Sequence, residues 1–236
     1  MPLGPFKNFL RGGATSGNGG SVTNGAPVPG GRSRFGSRNS GSAESIATRQ
    51  SRGLDEFFSY IRGQSGLTIL DLGGATQQNV SFITNLGHRL YSEDFIQLLN
   101  ETFGNDDTDQ SNPGRIEYFL KQALDYPEQH FDGVLIWDTL EYLSPALLVA
   151  VVERLHKVVR PKSYMLAFFH SDDKLEAVES YTFRIQEVNM LQVAQHSLHR
   201  PAQLFNNRSL EKLFGKFESV KFFLTRERLR EVIVKA

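Results

Sequence analysis

The sequence predicts an open, mostly parallel α/β sheet with helices on both faces and an antiparallel strand pair at its C-terminal end. Three observations predict it. Short apolar runs of strand type alternate with stretches of helical period through most of residues 54–235, the pattern of repeated βαβ units. The runs at Phe131–Trp137 and 163–169 are almost continuously apolar, as strands covered on both faces require. The last two runs, 220–224 and 231–235, are too close together for a crossover, so they must pair antiparallel.

Taken in order, Leu54, Phe57, Phe58 and Ile61 fall at i, i+3, i+4 and i+7, one face of an amphipathic helix. Residues 67–72 are a strand run that leads into Gly73-Gly74. Val80, Phe82, Ile83 and Leu86 mark a helix, which Gly87 stops. Residues 88–92 read as a second strand and 94–103 as the helix after it. The polar stretch 104–114 is a loop by composition. Residues 116–124 fit either a helix or a short strand with a turn. Beyond the strand Phe131–Trp137, Ser144 stands where it would cap a helix. Leu147, Leu148, Val151, Val152, Leu155 and Val159 line one face of that helix, and Pro161 stops it. After the strand at 163–169, residues 182–197 do not fit the repeat and read as an insertion. A short helix at 210–217 precedes the closing strands.

Composition narrows the function classes. The chain has 236 residues, 39% hydrophobic and 22% charged, which fits one soluble globular domain. No apolar run reaches the 18 residues of a membrane-spanning helix. There is no cysteine, which excludes a disulfide scaffold, a thiolate metal site and a cysteine nucleophile. Basic and acidic residues balance at 26 each, yet residues 1–52 carry seven bases and one acid, so a +6 segment precedes a −6 body. Residues 1–42 are rich in Gly, Ser and Arg, with eleven glycines. They are expected to form a disordered basic tail ahead of a folded domain at 43–236. Such a tail is a solvated linker or a nonspecific, salt-sensitive contact for nucleic acid. Its Arg and Ser content is shared with organellar transit peptides, but its glycines oppose an amphipathic helix. No secretory signal follows the start, and a cytoplasmic location is the expectation.

The segment Ile69-Leu70-Asp71-Leu72-Gly73-Gly74-Ala75-Thr76 carries the most chemistry. Ligands of open α/β sheets bind outside the carboxyl ends of the strands, where strand order reverses. Glycines after the first strand let the backbone turn sharply and approach a ligand. A carboxylate ending the second strand suits ribose hydroxyls, and Glu93-Asp94 stands there, Asp94 being 23 residues beyond Asp71. Neither G-x-G-x-x-G nor the P-loop pattern is met. A cofactor without a pyrophosphate needs neither.

These residues resemble motif I of class I S-adenosylmethionine-dependent methyltransferases. Phe131-Asp132-Gly133-Val134-Leu135-Ile136-Trp137-Asp138-Thr139-Leu140-Glu141-Tyr142-Leu143 resembles the family's fourth-strand motif. Val158-Val159-Arg160-Pro161-Lys162-Ser163 and the strand after it resemble the helix end, Arg-Pro-Gly-Gly turn and fifth strand. The resemblance spans about residues 54–235. It implies a Rossmann-like sheet of seven strands, S-adenosylmethionine as cofactor and methyl transfer to an unidentified small-molecule or macromolecular acceptor. It implies cofactor contacts from Asp71, Gly73, Gly74, Ala75, from Glu93 or Asp94, and from Trp137. Asp138 would lie at the mouth of the fourth strand beside the acceptor. The chain departs from the pattern at Ala75, where the family usually has glycine, at Leu120, where an adenine-binding acid often lies, and at Lys162-Ser163.

His170 follows the fifth strand and is a candidate base for an acceptor hydroxyl or amine; Asp138 is the other candidate catalytic residue, unless it only caps the turn at Thr139–Tyr142. No metal is expected, since His196 and His199 lack a third ligand. Arg226, Arg228 and Arg230 are expected to be solvated. The insertion offers Tyr181, Phe183, Arg184, His196 and His199 to an acceptor pocket. The alternatives are a non-catalytic methyltransferase-like module recruited through its basic tail and, less favoured, a nicotinamide-dependent enzyme.

Overall fold

The structure, a computed structural model, describes residues 46–74, 76–104, 110–225 and 228–236. The expected tail at 1–42 lies outside the described residues. In chain order the elements are β1 Ile46–Gln50, α1 Arg52–Ile61, β2 Thr68–Asp71, α2 Gln77–Asn85, β3 Arg89–Ser92, α3 Phe95–Phe103, α4 Pro113–Ala123, β4 Phe131–Trp137, α5 Pro145–Val158, β5 Val159–His170, β6 Val178–Glu187, β7 Met190–His199, α6 Asn207–Leu213, β8 Ser219–Leu224 and β9 Leu229–Lys235. A short 3-10 helix, Thr139–Tyr142, follows β4.

The main sheet has the order β3-β2-β4-β5-β9-β8. Its first four strands are parallel, and β9 and β8 close it antiparallel. The expected α/β class and the antiparallel pair are therefore present. The expected seven strands are not: the main sheet has six. The ambiguous segment 116–124 falls in helix α4. Asn112 caps that helix by accepting from Arg115 N at 3.2 Å, Pro113 opens it, and Phe119 and Ala123 are buried one turn apart. Those are helix-starting signals, and they outweigh the strand reading.

The insertion is a sheet of its own. β6 and β7 form an antiparallel hairpin, and β1 joins β7 to complete a three-stranded sheet, β1-β7-β6. β1 has no apolar period, because only Arg49 of its five residues is buried. Its partners lie some 140 residues away, between Met190 and Ala194.

Helices α3, α4, α5 and α6 cover one face of the main sheet, through Leu99, Phe119, Leu148 and Leu210 among others. Helix α1 and the inner face of the small sheet cover the other, through Phe57, Phe58, Phe183 and Leu191. The start of α1 is tied to β9: Glu231 accepts from Arg49 Nη2 at 2.8 Å, Ser51 Oγ at 3.1 Å and Gly53 N at 2.6 Å. Helix α5 ends at Val158, so Val159 and Pro161 belong to β5. The β4–β5 register slips between Phe131↔Val159 and Gly133↔Tyr164. Such an irregularity accommodates a proline that lacks an N–H, and Lys162 takes a φ of 66° there. Helix α6 starts earlier than its apolar pattern suggests, because Asn206 and Ser209 form a capping box.

Candidate functional site

β2 leads into α2 on one face of the sheet, whereas β4 leads into α5 on the other. Strand order therefore reverses between β2 and β4, and the crevice of this fold lies at their carboxyl ends. Two groups of residues meet there.

The first comes from β2 and β3. Asp71 is fully buried. Its Oδ1 accepts from Trp137 Nε1 at 2.7 Å and Gly73 N at 2.9 Å, and its Oδ2 from Asn79 Nδ2 at 3.4 Å. Burial pushes the Asp71 carboxyl above its ordinary range, and these hydrogen bonds pull the other way. Backbone bonds stitch the two loops together: Glu93 N donates to Asp71 O at 2.8 Å and Gly74 N to Glu93 O at 3.1 Å. Gly74 has a φ of 69°, and a Cβ there would lie 2.9 Å from Asp94 Oδ2. Asp94 is exposed, and its Oδ1 caps α3 by accepting from Gln97 N at 2.9 Å. Glu93 accepts from the Tyr126 hydroxyl, and Tyr126 belongs to the core under α3–α6. Of the two acids, Asp94 is the one over the glycine loop. Ala75 lies outside the described residues.

The second group comes from β4, β5 and the small sheet. Trp137 has a φ of 58°, a region that bulky L-residues rarely adopt. Its indole stacks on Phe183 at 5.0 Å and on Phe168 at 5.9 Å between centroids. Asp138 makes no capping bond to the turn after it and accepts from Tyr181 N at 3.3 Å. Burial pushes its carboxyl up to about 7, and the nearby Glu141 charge adds to the rise. Glu141 is fully buried. It accepts from His170 N at 2.9 Å through Oε1 and meets His170 Nδ1 at 2.6 Å through Oε2. His170 is 2% exposed, and its Nε2 has no hydrogen-bond partner among the described residues. It is the last residue of β5, and its ring faces Tyr181 at 6.0 Å.

Sequence reasoning gave Glu141 no role although it stands in the motif after the fourth strand, since its partner His170 lies 29 residues further on. It also missed Asn79. That amide donates to Phe183 O at 3.0 Å and accepts from Ile185 N at 2.8 Å, so it pins β6 to α2 above Asp71. Arg230 is a correction. Expected in solvent, it is buried, donating to Phe205 O at 2.9 Å and Ser171 O at 3.1 Å; burial lowers its pKa. The Arg228 side chain is 77% exposed, and Arg226 lies outside the described residues.

Of the insertion residues, Tyr181 and Phe183 reach the crevice. Strand alternation turns Arg184 and His196 to the opposite face, where His196 Nε2 meets Thr182 Oγ1 at 2.7 Å. His199 packs its ring edge-on to Tyr142 at 6.1 Å. Among the described residues, no group of three or more His, Asp or Glu is placed to hold a metal ion. No described helix is long and apolar enough to cross a membrane.

Among solved structures, the chain is similar to several methyltransferases. It shares 16% identity with a SAM dependent methyltransferase from Archaeoglobus fulgidus, over 78% of this chain and 91% of that one, at a TM-score of 0.47. It shares 14% with the 1,6-didemethyltoxoflavin-N1-methyltransferase of Burkholderia thailandensis, solved with 1,6-didemethyltoxoflavin and S-adenosylhomocysteine, over 78% and 76% at a TM-score of 0.43. A third, a SAM-dependent methyltransferase from Methanosarcina mazei, is 12% identical over 75% and 96% at a TM-score of 0.45. No family model matches the chain, and no curated protein matches it either. At such identities, substrate and chemistry have to be read from this chain's own residues.

Proposed function

We propose that the chain is an S-adenosylmethionine-dependent methyltransferase whose acceptor, a small molecule or a macromolecule, binds at the β4–β5 end of the crevice. Asp94 carries the proposal. It is an exposed carboxylate just beyond the carboxyl end of β3, over a glycine that has no side chain to obstruct a ligand. An ionised acid in that position accepts from both hydroxyls of a ribose. The amides of Gly73 and Gly74 already donate within the protein, to Asp71 Oδ1 and Glu93 O. They are not free to cradle a pyrophosphate, which counts against a nicotinamide dinucleotide.

The fit to the cofactor is uneven across the crevice. Asp94 and Gly74 suit its ribose. Asp71 is the acid available to an ammonium group, but Trp137 covers it. When bound, the cofactor supplies a methyl group already activated on a sulfonium. The protein then has to orient an acceptor and exclude water. Glu141 fixes His170 with two bonds, which leaves Nε2 as the ring atom able to take a proton from an acceptor O–H or N–H. Asp138 flanks that pair.

Titration calorimetry on the full chain tests the reading with S-adenosylhomocysteine and NADH. Heat from the first alone is expected. Binding of NADH with none of S-adenosylhomocysteine would sink it.

A further inference from the structure

One side chain lies across the crevice that the topology marks for a ligand, over Asp71 and Gly73. Trp137 ends β4, and its indole spans to the end of β2, where Nε1 donates to Asp71 Oδ1 at 2.7 Å. The ring lies so close over the glycine loop that a Cβ at Gly73 would sit 2.5 Å from Trp137 Cδ1. Gly73 therefore makes room for an indole. A left-handed φ of 58° aims the side chain from that strand end, and such backbone outliers gather at sites where a held conformation has a use. Phe183 stacks on the indole from the small sheet, and Asn79 holds that sheet in place.

We propose that Trp137 is a displaceable plug of the ligand crevice, released by a ligand that carries an ammonium group to Asp71. The inference rests on the cofactor reading above and sharpens it. Asp71 is buried, and without the indole N–H its Oδ1 keeps only the Gly73 amide, so release of the indole costs a buried hydrogen bond unless a new donor replaces it. A ligand ending in an α-amino group brings one, whereas a bare nucleoside does not. Two steps are thereby separated. The nucleoside half docks at Asp94 with Trp137 still in place, and the amino-acid half enters only as the indole leaves. While the plug is in, only a fraction of the molecules is competent, and apparent affinity falls by that fraction.

Trp137 is the only tryptophan of the chain, so its emission reports on the plug directly. S-adenosylhomocysteine and 5′-methylthioadenosine, the same nucleoside without the amino acid, are titrated into the full chain by fluorescence and calorimetry. Trp137→Phe and Trp137→Ala are then titrated by calorimetry, with circular dichroism to establish that they fold. The plug predicts a red shift of emission with S-adenosylhomocysteine and none with methylthioadenosine, although both bind. It also predicts that Trp137→Phe, which keeps an aromatic ring but loses the N–H, binds S-adenosylhomocysteine at least about tenfold tighter. Binding to Trp137→Phe or Trp137→Ala alone supports the plug in a firmly closed form. Binding to the wild-type chain with unchanged emission, and unchanged affinity in Trp137→Phe, overturns the plug and leaves the cofactor reading standing. No heat from S-adenosylhomocysteine with any of the three folded proteins overturns the cofactor reading, and the plug with it.

Discussion

The two halves of the crevice are built from opposite materials. At the β2–β3 end the loops are joined by backbone hydrogen bonds, and the acid they present, Asp94, stands in solvent. At the β4–β5 end, Asp138, Glu141 and His170 are all buried, and they come from the turn after β4 and the end of β5. Charged groups in solvent interact weakly, whereas the same groups out of water are worth more and cost more to disturb. At Asp94 the first half can receive a nucleoside without rearrangement. The other holds its polar groups buried, and it should be the half on which stability depends.

The sharpest way to break that contrast is Glu141→Ala. It strands the His170 backbone N–H and ring nitrogen without an acceptor, and removing one partner of a buried pair costs about 3–5 kcal/mol. Urea denaturation should show a loss of that order, and a loss under about 1 kcal/mol would mean that the pair is not an anchor. Asn79→Ala comes next. It removes the amide that joins α2 to β6, at an expected cost of about 1–3 kcal/mol. Limited proteolysis should then cut first within the small sheet, at the turn between β6 and β7. Unchanged protease resistance would show that apolar packing alone holds the small sheet.

A pH series sharpens the contrast further. The Asp138 carboxyl holds its proton up to about pH 7 in the folded chain, but releases it near the ordinary aspartate value of about 4 when unfolded. Between those values unfolding releases a proton, so this group's stabilisation is complete below about pH 4 and is lost as pH rises through about 7. Asp71, also raised by burial, acts with the same sign. The thermal midpoint should thus be higher at pH 5 than at pH 8. Asp138→Asn, neutral throughout, should flatten that slope, and an undiminished slope in the variant would assign it to other groups.

The same divide decides what could be read from the sequence. Asp71, Gly73, Gly74 and Asp94 sit in short local patterns at strand ends, where residue type and spacing suffice. The helices and the six strands of the main sheet were visible for a similar reason, since apolar period is local. Residues 116–124 read either way by apolar period, because the cap and proline that start their helix, Asn112 and Pro113, lie ahead of that window. Glu141, Asn79 and Arg230 owe their roles to partners 25 to 106 residues away, and no window of sequence contains those pairs. β1 was invisible for a related reason: its pairing is with β7, and its own residues alternate nothing.

Asp94 gives the smallest effect on stability and the clearest separation of roles. Its Oδ1 caps α3, and losing a cap to alanine costs about 1 kcal/mol. Asparagine caps a helix about as well as aspartate but carries no charge. Asp94→Asn should therefore leave the denaturation midpoint within about 0.5 kcal/mol of wild type, while Asp94→Ala loses about twice that or more. Ligand binding should sort the two variants differently. If Asp94 accepts from ribose hydroxyls, both lose affinity for S-adenosylhomocysteine, because the amide offers only one acceptor oxygen where the carboxylate offers two. If Asp94 is a cap and nothing more, Asp94→Asn binds like the wild-type chain, and the open half of the crevice would be no more than the start of a helix.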